Sequence, residues 1–330
     1  MDNKLTKRRF SDFISYEWIL MLVVSAVMII VWEFAYTVGG VRLTVGQEFK
    51  YYYDQTISSA TSEDFYSLIT GEDTFSYDVI ELDYEALMAD YNVLSVRLSI
   101  QEGDVLITDS KAPEDGATGD ARLIRAKSAV DNYEYNIYCL DTLLEDAQNY
   151  LKQFLKDGAT GDNPELNYEN LDGEKIKSVF LERMKKDNRF RKEEEKAAGV
   201  ELEKGRIEKL VKEVGDFKKF LDTAPEEAFF KYTKYGQTLE YVEKDADKEA
   251  FQKHYQREID EGRENARYGI NAAALKGGAN DASTFFKMKD SDTADNVVLM
   301  AFNFKEYQPH LQFEVISFFN TVIRACSDII

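Results

Sequence analysis

The chain predicts an α/β fold: one N-terminal transmembrane helix, then an extracytoplasmic α/β domain, one- or two-lobed, with a helical insertion. Three observations predict it. Residues Trp18 to Trp32, WILMLVVSAVMIIVW, form an apolar run preceded by Lys4, Lys7, Arg8 and Arg9. Beyond it, short β-branched runs alternate with helix-period segments, the pattern of stacked helices and strands. A charged block, 174–265, reads as mainly helical and supplies the insertion.

A bilayer-crossing helix needs about 20 mostly apolar residues. Residues 17–38 supply that length when Glu17 and Glu33 lie near the interfaces, where ionised groups cost less. Trp18, Trp32 and Tyr36 suit the interfacial belts. Four bases precede the helix, while Gly39-Gly40 and only Arg42 and Lys50 follow it. The positive-inside rule then places 1–16 in the cytoplasm as a basic tail and 39–330 outside, in a single-pass cell-membrane protein. A cleaved signal peptide is the rival. The core is long for one, and Glu33-Phe34-Ala35-Tyr36 offers no small-x-small cleavage site. No Cys directly follows the run, which excludes a lipoprotein anchor.

About 290 residues outside suffice for two modest domains or lobes with real cores. The net charge of −20 repels nucleic acid and anionic headgroups, so no nucleic-acid partner is expected. Cys139 and Cys326 are sparse usage for a chain of 330 residues. They read as two buried thiols, with a disulfide as the alternative in an oxidising compartment.

Leu43 to Ile57 alternates loosely and reads as a strand, and Ser62-Glu63-Asp64 opens a short capped helix to Ile69. Tyr77–Leu82 reads as a strand and Tyr84–Ala89 as a short helix. Residues 93–103 read as a helix ending at Gly103, and 104–109 as a buried strand. Loops are expected at 71–76, 110–122 and 157–173, whereas 124–131 fits no pattern. Tyr133–Leu140 alternates as a strand, and Leu140–Leu155 is an amphipathic helix. Ile207, Leu210, Val211, Val214, Phe217 and Leu221 form one apolar stripe at helical spacing. Gly199, Gly205 and Gly215 are expected to interrupt that block. Pro225–Tyr232 and Lys248–Ala266 read as helices, Val297–Phe304 as a strand, and Phe313–Ile329 as the last helix.

Motifs for chemistry are sparse. His254 and His310, the only histidines, sit in no HExxH arrangement, and neither G-x-S-x-G nor a phosphate loop occurs. No catalytic residue and no cofactor is expected. The hexapeptide Asp-Gly-Ala-Thr-Gly-Asp occurs at 115–120 and again at 157–162. Asp115, Asp120, Asp157 and Asp162 offer hard oxygen ligands for calcium, against the plainer reading of two exposed turns. Strand-end carboxylates, Asp83 and Asp109, commonly face a crevice. Tyr52 and Tyr53 of the Tyr51–Tyr53 run are candidate cleft liners.

The stretch from Leu98 to Asp109, LSIQEGDVLITD, resembles the helix–Gly–Asp–Val–strand step of extracellular solute-binding proteins of ABC importers. Tyr268-Gly269-Ile270 and residues 297–329 resemble later segments of that family. The resemblance implies a periplasmic-binding-protein-like fold of two lobes, with Asp83 and Asp109, and Tyr52 and Tyr53, near its cleft. The helix anchor departs from the family, whose members carry a lipid-attached Cys or are free in the periplasm. The expected function is a non-catalytic, membrane-anchored binder of a small solute, or an accessory to a transporter. The alternative is a structural or assembly protein whose helical region docks a membrane or envelope partner. An apolar stripe left exposed on 207–221 favours that alternative.

Overall fold

The computed structural model describes residues 7–39, 48–58, 60, 62–71, 74–75, 81–87, 103–118, 122–132, 137–157, 166–303 and 309–330. The chain divides into two compact units, Met1–Thr44 and Val45–Ile330. The first holds helix α1, Lys7–Gly39, of 33 residues, about 50 Å long at its rise per residue. Every side chain from Trp18 to Phe34 is exposed. Among the described residues no helix is long and apolar enough to cross a membrane; the continuous run of described side chains in α1 is Trp18–Phe34. The assignment of 17–38 to a bilayer rests on its sequence.

Among the described residues the second unit has six strands: β1 Glu48–Asp54, β2 Glu81–Leu87, β3 Val105–Asp109, β4 Phe229–Tyr232, β5 Ala266–Asn271 and β6 Val297–Ala301. Among the described residues eight helices of six or more residues accompany them: α2 Glu63–Ile69, α3 Arg125–Asn132, α4 Leu140–Lys152, α5 Gly173–Arg183, α6 Glu193–Thr223, α7 Gly236–Tyr241, α8 Asp245–Asp260 and α9 Glu314–Cys326. All six strands join one mixed sheet in the order β2-β1-β3-β6-β5-β4. β1 is parallel to both neighbours, and the other pairs are antiparallel. The α/β expectation holds. The two-lobed form does not, because block 174–265 adds its helices and β4 to the same body.

Strand alternation splits the apolar side chains between two faces. Phe49, Tyr51, Val105, Ile107, Val297 and Leu299 point into the larger cluster, and Tyr52, Leu106, Val298 and Met300 into the smaller. With both faces covered, VLITD of β3 and VVLMA of β6 are buried at every position, which is why Val105–Ile107 and Val297–Ala301 read as unbroken apolar runs. Phe65 of α2, Leu143 and Ala147 of α4, Leu210 and Phe217 of α6, and Phe319 and Val322 of α9 fill the larger cluster. Ala126, Ala129 and Val130 of α3 line the smaller one.

Helix α6 corrects one expectation. It runs unbroken for 31 residues through all three glycines. Gly205 and Gly215 face open space, while Gly199 gives the Phe180 and Phe190 rings their room. A helical glycine costs only about 1 kcal/mol, less than the stripe gains by burial. Ile207, Leu210, Val211, Val214, Phe217 and Leu221 are all buried, so no apolar stripe is left exposed on 207–221.

Several boundaries shift for similar reasons. Tyr84 to Leu87 is strand, not helix, because β2 pairs with β1 along seven residues and Tyr84 stacks on Tyr51 at 5.6 Å. Pro225 opens only a short 3-10 turn, Glu226–Ala228, before β4 places Phe229 and Phe230 on opposite faces. The helix expected to reach Ala266 stops at Asp260, and Gly262, at φ 74°, turns the chain into β5. Of the strand expected at Tyr133–Leu140, Ile137 makes one bridge to Phe302 and Leu140 already starts α4. Residues 124–131 prove to be mostly α3. Ser62 caps α2 as read, accepting from the Phe65 N–H. The helix expected at 93–103 and residues 133–136 lie outside the described residues, apart from Gly103.

Candidate functional site at the ends of β1 and β3

Strand β1 leads to β2 on one side and β3 on the other, so the strand order reverses between β1 and β3. Open α/β sheets form their crevice outside the carboxyl ends of strands at such a switch point. Here those ends are Asp54 and Asp109, 0% and 5% exposed.

The chain builds the site through local turns. After β1, the Thr56 N–H donates to Asp54 Oδ1 at 2.9 Å, closing a side-chain turn. Residues 56–58 then pair with 287–289: Lys289 N–H donates to the Thr56 carbonyl at 2.7 Å and Ser58 N–H to the Lys287 carbonyl at 2.8 Å. After β3, Lys111 N–H donates to Asp109 Oδ1 at 3.1 Å. Ser110 N–H donates at 2.8 Å to the carbonyl of Asn296, a residue at φ 65° that leads into β6. Helix α3 starts at Arg125, whose Nη1 donates to Asp54 Oδ1 and stands 3.7 Å from Asp109 Oδ2 and 3.5 Å from Thr56 Oγ1.

The Thr56 hydroxyl lies 2.8 Å from Asp54 Oδ1 and 2.9 Å from Asp109 Oδ2. It carries one proton and donates to one of them at a time. Burial pushes the Asp109 carboxyl above the usual carboxylate range, outweighing the Thr56 and Lys111 hydrogen bonds. Burial also lowers the Arg125 guanidinium from its ordinary value.

The candidates read from the sequence do not converge. Asp109 belongs to this site. Asp83 sits mid-strand in β2, opposite Lys50, and pairs with Lys50 Nζ at 2.7 Å. Tyr52 is fully buried, edge-on to Phe302 at 6.1 Å and beneath Gly103, where a Cβ would stand 2.5 Å from its ring. Tyr53 is half-buried against Tyr84. Asp115 lies on an exposed turn, and Asp157 pairs with Lys175 at 2.7 Å. Asp120 and Asp162 lie outside the described residues. Among the described residues no group of three or more His, Cys, Asp or Glu is placed to hold a metal ion. Cys139 and Cys326 are free thiols.

No family model, curated protein or solved structure matches this chain.

Sequence reasoning missed Asp54, Thr56 and Arg125. The available signal was Asp-x-Thr directly after the Tyr51–Tyr53 run, a polar break where a buried strand ends.

Proposed function

We propose that this is a single-pass cell-membrane protein whose extracytoplasmic α/β domain binds a small solute without catalysis, by itself or as the accessory of a transporter. The anchor is 17–38, with 1–16 cytoplasmic and the bulk of the chain outside, as the basic cluster implies. The observation that carries the binding reading is the Asp54–Thr56–Asp109–Arg125 cluster, with both carboxylates buried, at a topological switch point, where open α/β sheets place ligands. Asp109, one of the residues that the resemblance to solute-binding proteins puts near a cleft, belongs to this cluster. Tethering holds such a crevice near a membrane partner at high effective concentration.

The alternative, an assembly protein docking through its helices, calls for an unpartnered apolar face. Outside 18–34, the large exposed hydrophobics among the described residues are Tyr66, Tyr84 and Leu202, which form no stripe.

A thermal-shift screen of the full chain in detergent tests the proposal, using amino acids, sugars, peptides, small acids and divalent cations, with a chelator control. A rise of several degrees with one solute class is expected. A flat screen over a cooperative melt overturns solute binding in favour of the assembly reading, and a shift with calcium alone returns attention to the Asp-Gly turns. Extraction of the full chain by alkaline carbonate without detergent overturns the anchor.

A further inference from the structure

The arginines of this domain use their guanidinium groups in two ways. Arg189, Arg206, Arg263 and Arg267 each turn the Nε–Nη2 edge onto a protein carboxylate: Asp187, Glu203, Glu258 and Asp141. Arg324 spends Nη1 and Nη2 on Glu213. Arg125 differs. It donates through Nη1 alone, and its Nε and Nη2 meet no acceptor among the described residues. That free edge is the fork that matches a carboxylate or phosphate in bidentate fashion. The side chain is half-buried, at 23% exposure, and its Nη1 end is anchored on Asp54.

The surroundings carry charges of both signs. Lys111, Lys287 and Lys289 are the residues whose backbone hydrogen bonds tie the neighbouring loops to Asp109, Ser58 and Thr56. None of these lysines makes an ion pair among the described residues. On a chain carrying −20, these three lysines and Arg125 gather four cations on the loops around the site. Acids share these loops. Asp54 and Asp109 stand beside Arg125, and Asp290, Asp292 and Asp295 are exposed on the loop beyond Lys289, so the directed donors of Arg125, not net charge, carry the preference for an anion. The first N–H groups of α3, which a helix leaves without intrahelical acceptors, start at the same residue and favour an anion there.

We infer that the solute carries an oxyanion, a carboxylate or a phosphoryl group, held by the Nε–Nη2 edge of Arg125 at the carboxyl ends of β1 and β3. This rests on the solute-binding reading and adds the ligand's chemical class to it.

Calorimetric titration of the full chain in detergent tests it with four probes: succinate, inorganic phosphate, glucose and choline. One of the two anions is expected to bind, and which one identifies the oxyanion as carboxylate or phosphate. Arg125→Lys keeps a cation for Asp54 but removes the fork, and at least a tenfold rise in Kd is expected with the melting temperature nearly unchanged. Should that variant fail to fold, the exposed Lys111→Gln and Lys289→Gln carry the test. Each is expected to raise Kd about two- to threefold and to flatten its dependence on salt. Glucose or choline binding with neither anion overturns the inference and leaves solute binding standing. Anion binding that is unchanged in Arg125→Lys, or in both lysine variants when Arg125→Lys does not fold, also overturns it. Failure of all four probes together with a flat wider screen overturns both readings.

Discussion

Three glycines in one helix provide an internal control on how α6 is packed. Replacing Gly205 or Gly215 by Ala adds a methyl group that meets nothing within 4 Å. Only the helix propensity changes, and each substitution should stabilise by about 0.5–1 kcal/mol. At Gly199 the same methyl would stand 2.6 Å from Phe180 Cζ and 2.6 Å from Phe190 Cε1. Those rings meet edge-on at 5.2 Å, and Phe180 is 5% exposed, so the pair has little room to yield. Overpacking of this kind costs about 1–3 kcal/mol. Less the propensity gain, Gly199→Ala should destabilise by about 1 kcal/mol. Thermal melts of the full chain in detergent read the difference, at about 2 °C per kcal/mol for a domain of this size. Melting temperatures should rise for Gly205→Ala and Gly215→Ala and fall for Gly199→Ala. A rise for Gly199→Ala equal to the other two would refute the packing of α5 against α6 described above.

Other tests address the buried charges. Burial pushes the Glu203 carboxyl up, but the charges and hydrogen bonds of Arg206 and Arg183 outweigh it and hold it at about 2. Its contribution, on the order of 3 kcal/mol, is present above the unfolded carboxylate value and lost as pH falls towards 2. Melts between pH 5 and 2 should flatten in Glu203→Gln, and an unchanged slope would count against the network. Arg324→Ala strips its guanidinium partner from Glu213, which is 2% exposed, and should cost about 3 kcal/mol in the same melts. Gly278→Ala puts a Cβ 2.4 Å from the Cys326 carbonyl carbon and the Ser327 nitrogen; loss near 3 kcal/mol is expected, and a neutral result would contradict that close approach. Asp109→Asn mimics a protonated carboxyl. Because the Asp109 carboxyl is raised in the fold, the variant should melt higher than the parent at pH 7 and level with it at pH 3, and the reverse order would refute a raised Asp109.

The legible parts of the sequence were those where one local rule decides. Val105–Asp109 and Val297–Ala301 are strands because both faces bury them, and five consecutive buried positions leave a mark. Ser62-Glu63-Asp64 is a capping signal that acts within one turn. The illegible parts depended on partners remote in sequence. Tyr84 belongs to a strand only because β1 lies alongside, and Phe229 only because β5 does. The site was half legible for the same reason. Asp109 announces itself at the end of a buried run, but Arg125 is drawn to Asp54 across 71 positions of sequence, and nothing near residue 125 foretells that.

The two ends of the parallel strands treat charge in opposite ways, and this decides where function is sought. Towards the amino ends, Lys50 is the buried cation, and acids close over it: Asp83 at 2.7 Å and Glu85 at 3.8 Å. Asp104, beside it, accepts from the Lys50 backbone N–H at 2.9 Å. Asp131, in α3, is likewise consumed by structure, accepting from Tyr232, Tyr235 and Thr238 to hold α3 against the start of α7. At the carboxyl ends the acids are the buried groups and the cations lie outermost, with one fork left open. A carboxylate satisfied from every side gains nothing by meeting a ligand. A guanidinium already oriented by Asp54, with two nitrogens undirected, has both the fixed geometry and the unused donors that recognition requires.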